Sequence, residues 1–182
     1  MTVRKTETDP SGVVYVIGTE EEGMSWIGQE AEPVEEAYPM TTRAIEHFVE
    51  GIEDSNPLYW SEEFSRQTRW GKRIAPWGIE VLCKEHKVWR PDWMGEHEGQ
   101  LTYHCRTPLP GNRLLGLDYE VECYKPLHHG DRVFVNEKLV DVVPKTMRIG
   151  SGHLVTVDNF FRNQHGDLCF KNRRTVFRYR QA

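Results

Sequence analysis

The feature that most restricts the fold of this chain is a change in the spacing of apolar residues near residue 113. Beyond that point apolar and polar residues alternate, and the first run has its apolar members at Leu115, Leu117, Tyr119, Val121 and Cys123. A period of two predicts a strand with one face in water. Further strands are predicted over 131–143, 153–163 and 168–180, so the second half of the chain predicts an antiparallel sheet.

The first half of the chain has the helical period instead. A helix is predicted over 41–53, where Thr41 or Thr42 supplies the N-terminal cap. A short helix is predicted over 61–70 with Ser61 as its cap, and a third, apolar on much of its girth, over 76–89, followed by a long irregular segment over 90–112. Helices followed by antiparallel strands predict the α+β class, and the simplest assembly is a curved sheet wrapped around a buried central helix.

Composition excludes several classes of protein. A length of 182 residues suits one domain, and a net charge of −5 argues against a general nucleic-acid binder. No apolar run approaches the roughly 20 residues that span a bilayer, and the N-terminus lacks the apolar core of a signal peptide. Scattered cysteines favour reduced thiols, so we expect a cytoplasmic protein with an N-terminal arm (1–25) and a single domain (26–182).

The stretch after the first predicted helix, EDSNPLYW, has two interpretations. Asp54 and Asn56 before Pro57 are typical of a turn in which short polar side chains bond their own backbone. The same residues also suit an active-site loop. The local sequence alone favours the turn.

Three stretches in this order resemble the MaoC-like dehydratases of the hot-dog fold, and more narrowly their FAS1-like N-terminal dehydratase domains. They are FVEGIEDSNPLYWSEE, IAPWGIEVL and DYEVECYKPLHHGDRVFV, and the resemblance covers about residues 26–180. It implies a curved antiparallel sheet around a long central helix. It also implies an acyl-coenzyme A thioester as substrate, no cofactor, and a role in hydrating or dehydrating that thioester.

In that family the catalytic motif reads Asp-x-Asn-Pro-x-His, which implies catalytic positions at Asp54, Asn56 and Tyr59. Tyr59 stands where the family has His. A phenol titrates near 10, whereas an imidazole titrates near neutral pH and suits a general base. Loss of general acid–base help costs about 10²–10⁴ in rate, so this loop is predicted to be weakened or silent by itself.

The start of the third predicted helix is the second candidate site. The resemblance assigns substrate binding to Pro76, Trp77 and Gly78. Free N–H groups at a helix N-terminus stabilise an oxyanion, and we expect the N–H of Gly78 to face the thioester oxygen. Trp77 is bulky and is expected to narrow the acyl tunnel. The nearby tryptophans favour either a bulky acyl group or ordinary packing.

Two other groups of residues bear on ligand binding. Cys83 and His86 make half of a zinc site, but no second pair has suitable spacing, so no metal is predicted. Arg174, Arg178 and Arg180 share one face of the last strand. They suit either the phosphates of coenzyme A or a solvated strand face, and the solvated face is favoured.

Three functional hypotheses follow. The first is an acyl-thioester-binding subunit of an R-type enoyl-CoA hydratase or 3-hydroxyacyl-CoA dehydratase, which pairs with a MaoC-type partner that carries Asp and His. The second is a self-sufficient hydratase, in which Tyr59 or a histidine from 97–104 replaces the base. The third is a non-catalytic binder of acyl thioesters. Hot-dog domains pair edge to edge, so a homodimer or heteromer is expected.

Overall fold

The structure is a computed structural model and describes residues 5–36, 38–84 and 102–180. Within these ranges the helices are α1 (Glu20–Met24), α2 (Thr42–Gly51), α3 (Pro57–Trp60), α4 (Glu62–Arg66), a 3₁₀-helix (Ile79–Lys84) and α5 (Tyr103–Arg106). The strands are β1 (Thr6–Thr8), β2 (Val14–Val16), β3 (Val34–Glu35), β4 (Arg113–Cys123), β5 (Val133–Met147), β6 (Gly150–Asn163) and β7 (Leu168–Tyr179). None of the helices in these ranges has the length and apolarity needed to span a bilayer.

The principal sheet is antiparallel, with the strand order β3-β5-β6-β7-β4. The four predicted strands and the α+β class are therefore confirmed. Strand β4 lies at an edge and pairs with β7, although β5 follows it in sequence. The segment 124–132 consequently crosses from one side of the sheet to the other, where it packs against the residues that precede α2 and the 3₁₀-helix.

Capping side chains define two of the predicted helices. The hydroxyl of Thr41 accepts from the N–H of Ala44 at 3.1 Å, and Ser61 accepts from the N–H of Phe64 at 3.1 Å. Both predicted caps are therefore confirmed. The third predicted helix begins at Ile79 as a 3₁₀-helix and not at the predicted Pro76, because residues 77–78 form a turn with Gly78 in the left-handed region. Residues 85–89 lie outside the described residues, as does the first part of the predicted irregular segment 90–112.

One face of the sheet is covered by two apolar clusters. The first cluster joins the sheet to α2, α3 and the 3₁₀-helix; its buried members include Val49, Tyr59, Ile79, Val135, Phe161 and Phe170. The second joins the sheet to α5 and the following loop; its buried members include Tyr103, Leu109, Leu139, Val157 and Val176. Each such side chain contributes about 1.5–3 kcal/mol by leaving water. Residues 103–109 are therefore part of the core, which the prediction of an irregular segment over 90–112 did not anticipate.

The predicted N-terminal arm packs on the chain's own sheet. Strands β1 and β2 form a hairpin, and Tyr15 at its centre is only 1% exposed. Glu20, at the start of α1, lies 2.9 Å from the Nε2 atom of His153 on β6. The segment before residue 26 thus contributes to the same core as the rest of the chain.

Arg178 connects the N-terminal hairpin to the sheet. Its side chain is fully buried, and its guanidinium donates hydrogen bonds of 2.6–3.3 Å to the carbonyls of Val16, His104, Cys105, Thr107, Leu109 and Gly111. Burial lowers the pKa of Arg178 to about 10, so the group stays charged at neutral pH. The predicted phosphate contact or solvated face is therefore wrong for Arg178, since its donors are directed to the backbone. Arg180 instead pairs with Glu7 at the surface.

We predict that Arg178→Met lowers the free energy of unfolding by at least about 3 kcal/mol, because several buried carbonyls lose their donor at once. Arg178→Lys should fall between Met and the native residue, since an ammonium reaches fewer of these oxygens. Urea unfolding followed by tryptophan fluorescence measures the loss. Arg180→Met is the matched control, and its exposed ion pair should be worth less than about 1 kcal/mol. Equal losses in the two variants would contradict this role.

Candidate active site

The first candidate segment begins where α2 ends. The N–H of Asp54 bonds the carbonyl of Val49 at 2.9 Å, and the N–H of Glu53 bonds the carbonyl of Glu50 at 3.2 Å. These two bonds form a Schellman motif, which requires a left-handed residue before its last position. That residue is Glu53, with a φ of 55°, in a conformation that glycine usually takes. A non-glycine residue in this region is strained, and such strain is common at functional sites.

A chain of side-chain-to-backbone hydrogen bonds then shapes the loop. The Oδ1 atom of Asp54 accepts from the N–H of Asn56 at 2.9 Å, and the Oδ1 atom of Asn56 accepts from the N–H of Leu58 at 3.1 Å. The indole N–H of Trp60 donates to the carbonyl of Asp54 at 2.8 Å. Among the described residues, no donor is found for the Oδ2 atom of Asp54. The carboxylate is therefore oriented by one oxygen and keeps the other available.

Tyr59 is directed into the protein. It is 5% exposed and belongs to the first apolar cluster. Burial raises the pKa of the Tyr59 phenol above its ordinary value, and the negative charge of Asp54 raises the pKa further. The phenol therefore keeps its proton at neutral pH and is not a base there. The prediction that Tyr59 is a poor substitute for His agrees with this environment.

The second candidate segment is tied to the first. The N–H of Ile74 bonds the carbonyl of Leu58 at 3.4 Å, and the N–H of Ala75 bonds the carbonyl of Leu127 at 2.7 Å. Pro76 is buried, whereas Trp77 is 42% exposed and packs edge-on against Phe170 with ring centroids 5.8 Å apart. The indole thus covers the edge of the apolar cluster and leaves much of its surface open.

Gly78 has the geometry of a backbone donor. Its φ of 99° lies in the left-handed region, so a side chain at this position is strained. An added Cβ would lie 3.7 Å from the Phe48 ring, which places Gly78 beside α2. Within the described ranges its N–H has no acceptor. An unoccupied N–H next to an apolar cluster can stabilise a developing negative charge on an oxygen.

The structure therefore brings the two predicted segments together around one apolar cluster. It does not bring every predicted residue there. His104 is buried near the second cluster, with its Nε2 atom 3.2 Å from the carbonyl of Arg174, so its ring is engaged in the fold. His86, Trp89, Trp93 and His97 lie outside the described residues. In the ranges that the structure describes, no group of His, Cys, Asp and Glu has the arrangement of a metal site.

Glu80 was not predicted from the sequence to be a site residue. This residue is 1% exposed, and its Oε1 atom accepts a hydrogen bond of 3.1 Å from the hydroxyl of Tyr119. The signal was a carboxylate in the first turn of a helix predicted to be buried on much of its girth. A buried carboxylate is costly unless it is fully paired, which makes such a position informative.

Comparisons with solved structures confirm the hot-dog fold. The chain is similar to a chain of the ChsH1-ChsH2 complex from Mycobacterium tuberculosis, with a TM-score of 0.70 and 18% identity over 89% of this chain and 96% of that one. It is also similar to the MaoC-like dehydratase from Rhodospirillum rubrum, with a TM-score of 0.62 and 18% identity over 86% of this chain and 94% of that one.

Comparisons of sequence identify the family. A probable enoyl-CoA hydratase alpha subunit from Thermomonospora curvata is 26% identical over an alignment of 166 residues, and the match covers 86% of this chain and 50% of that protein. The chain thus spans about half the length of the curated relative that it matches. The family model for the FAS1-like, dehydratase domain region matches residues 25–171. Since that match covers most of the chain, the protein belongs to the family of FAS1-like dehydratase domain regions.

Proposed function

We propose that this chain is the acyl-thioester-binding subunit of an R-type enoyl-CoA hydratase or 3-hydroxyacyl-CoA dehydratase, and that a MaoC-type partner supplies the catalytic Asp and His. The observation that carries the proposal is the loop 53–60. It retains the oriented carboxylate of Asp54, yet Tyr59 is buried and protonated where a base is needed. The subunit works in the cytoplasm, in keeping with its four free cysteines.

The reaction adds water across the double bond of a 2-enoyl thioester. A base takes a proton from water, the water oxygen bonds to C3, and the electron pair of the double bond moves to the thioester oxygen. The resulting enolate then takes a proton at C2. In this proposal the N–H of Gly78 stabilises the enolate oxygen, which is the largest electrostatic requirement of this step. A base near neutral pH is the component that Tyr59 does not supply at its position in the loop.

The free edge of the sheet supports an association with a partner. Strand β4 runs for 11 residues, and in the described part of the chain no strand pairs with its outer side. Leu115, Leu117 and Tyr119 on this strand are 43–44% exposed. An unpaired edge with exposed apolar residues is a template for another strand. The opposite edge, β3, has only two residues, so β4 is the edge on which a partner sheet is expected.

Names of two similar proteins agree with a heteromer. One similar structure is of a ChsH1-ChsH2 complex, and the curated relative is named as an alpha subunit. Among the described residues the self-sufficient alternative has less support, since His104 is engaged in the fold and Tyr59 is protonated. His97 lies outside the described residues. The non-catalytic alternative predicts no turnover even with a partner, whereas the proposal predicts turnover with a partner. This difference distinguishes the two.

We predict that the purified chain hydrates crotonyl-CoA poorly and that co-expression with a protein carrying Asp-x-Asn-Pro-x-His, encoded next to it, restores turnover. The loss of enoyl absorbance measures the rate, and size-exclusion chromatography shows whether the two proteins elute together. The partner alone is the control. Efficient turnover by this chain alone, abolished by Asp54→Ala, would favour the self-sufficient hydratase. Acyl-CoA binding without turnover in any combination would favour the non-catalytic binder.

We also predict that Tyr59→His gives the lone chain measurable hydratase activity, about 10²-fold above the native chain, because it restores a base that titrates near neutral pH. The activity should rise with pH as the imidazole loses its proton. Tyr59→Phe is the matched control, which removes the hydroxyl without adding a base and should leave the rate unchanged. A folded Tyr59→His variant with no gain would show that position 59 does not face the reacting carbon.

A further inference from the structure

A polar row crosses the apolar face of the sheet. Glu137 on β5, Asn159 on β6 and Asn172 on β7 are cross-strand partners, so they form one line across three strands. All three are less than 9% exposed. The first apolar cluster lies on one side of this polar row and the second cluster lies on the other. Polar groups in such a position require a complete set of hydrogen bonds.

The polar row leads by successive hydrogen bonds to Glu80. The side chain of Asn159 donates to that of Asn172 at 2.6 Å, and Asn172 donates to the hydroxyl of Tyr119 at 2.9 Å. The Tyr119 hydroxyl in turn donates to the Oε1 atom of Glu80 at 3.1 Å. Every bond points in the same direction, so the chain of donors ends at a carboxylate. Aligned bonds of this kind polarise one another, which strengthens the last hydrogen bond, from Tyr119 to Glu80.

The other oxygen of Glu80 is an unfilled acceptor. Within the described ranges its Oε2 atom is buried and has no hydrogen-bond partner. A carboxylate oxygen removed from water without a donor destabilises the folded protein. Glu137 shows the contrast, because its Oε2 atom accepts the backbone N–H of Tyr103 at 2.9 Å. Among the described residues, Arg106 and His153 also have a buried side-chain atom without a partner, but Glu80 is the acidic member of this group and lies two residues after the backbone donor Gly78.

A cavity lies next to Tyr119, the hydrogen-bond partner of this carboxylate. It has a volume of about 470 Å³ and is lined by Val81, Gly116, Leu117, Asp118, Tyr119 and Arg174. Val81 follows Glu80 in sequence, and Tyr119 is its hydrogen-bond partner. Burial raises the pKa of Tyr119 to about 12, as does the charge of Glu80, whereas the charge of Arg174 lowers it. The positive charge of Arg174 therefore acts on the same phenol as the negative charge of Glu80.

We propose that Glu80 and Tyr119 form a polar subsite that accepts a hydrogen bond from a hydroxyl group beyond C3 on the acyl chain of the bound thioester. The inference rests on the proposed function, because it places a ligand in the acyl-binding region, and it adds the class of acyl group. The 3-hydroxyl is left out, since the proposed reaction itself forms or removes that group. A plain hydrocarbon chain would leave Oε2 without a partner.

The test compares hexanoyl-CoA with its 4-, 5- and 6-hydroxy derivatives, with the purified chain in a titration calorimeter. At least one hydroxy derivative should bind about tenfold more tightly than hexanoyl-CoA, as expected of a hydrogen bond to a charged group. In Glu80→Gln that preference should disappear, because an amide N–H₂ replaces the free acceptor. The variant without ligand should also melt at least about 2 °C higher, since a buried unpaired charge is removed.

Glu120→Gln is the matched control. Glu120 lies on the same strand as Tyr119 and is exposed. Its replacement removes the same negative charge, which repels the anionic coenzyme, and leaves the subsite unchanged. It should leave the hydroxyl preference intact. If Glu80→Gln does not fold, Glu80→Asp withdraws the carboxylate by one methylene and should reduce the preference.

The outcomes separate the two proposals. Binding of hexanoyl-CoA with no preference for any hydroxy derivative would overturn the subsite and leave the proposed function standing. Equal preferences in the native chain and in Glu80→Gln would overturn the subsite as well. Absence of binding by every acyl-CoA would overturn the proposed function and the subsite with it.

Discussion

The structure depends on covering the apolar face of a single bent antiparallel sheet. Helix α2, α3 and the 3₁₀-helix cover one end of this face, and the segment 103–109 covers the other. Arg178 holds the second cover in place, because its guanidinium binds carbonyls in that segment and in the N-terminal hairpin. The two covers differ in kind. One is held chiefly by apolar burial, whereas the other also depends on a buried cation whose hydrogen bonds, among the described residues, go to backbone carbonyls.

The candidate active-site loop shows that a turn and a functional site need not be alternatives. The hydrogen bonds of Asp54 and Asn56 to the backbone are those of an ordinary polar turn. The same bonds orient the carboxylate and leave one of its oxygens open. A left-handed Glu53 positions the turn at the end of α2. What distinguishes this loop from a complete acid–base pair is a single side chain, Tyr59, and its burial settles its protonation state.

The polar row across the sheet lowers the stability of the folded protein, which apolar packing at the same positions would not do. Replacing buried polar groups with apolar ones of similar shape is often neutral or stabilising, so a partly satisfied set is informative. Here the hydrogen bonds are donated in the direction of Glu80. Among the described residues, one oxygen of its carboxylate has no partner. Glu80 lies close in sequence to Gly78, the proposed donor to the thioester oxygen. Stability and ligand recognition are therefore opposed at this position, in the manner common to binding sites.

The sequence by itself determined the local elements, because these depend on neighbouring residues. The alternation from Leu115 onward placed β4, the caps Thr41 and Ser61 placed two helices, and Asn56 before Pro57 placed the loop. Motif resemblance supplied the fold and the positions of Asp54, Tyr59 and Gly78.

Only the tertiary structure decided which distant groups meet. Arg178 looks like the other arginines of its strand, yet contacts from six carbonyls make it part of the core. Glu80 and Tyr119 are 39 residues apart in sequence, and Asn172 is 53 residues beyond Tyr119. Their hydrogen bonds exist because β4 pairs with β7 and the 3₁₀-helix lies across the sheet. Burial and pairing of this kind depend on long-range packing, which the period of a strand or the cap of a helix does not encode.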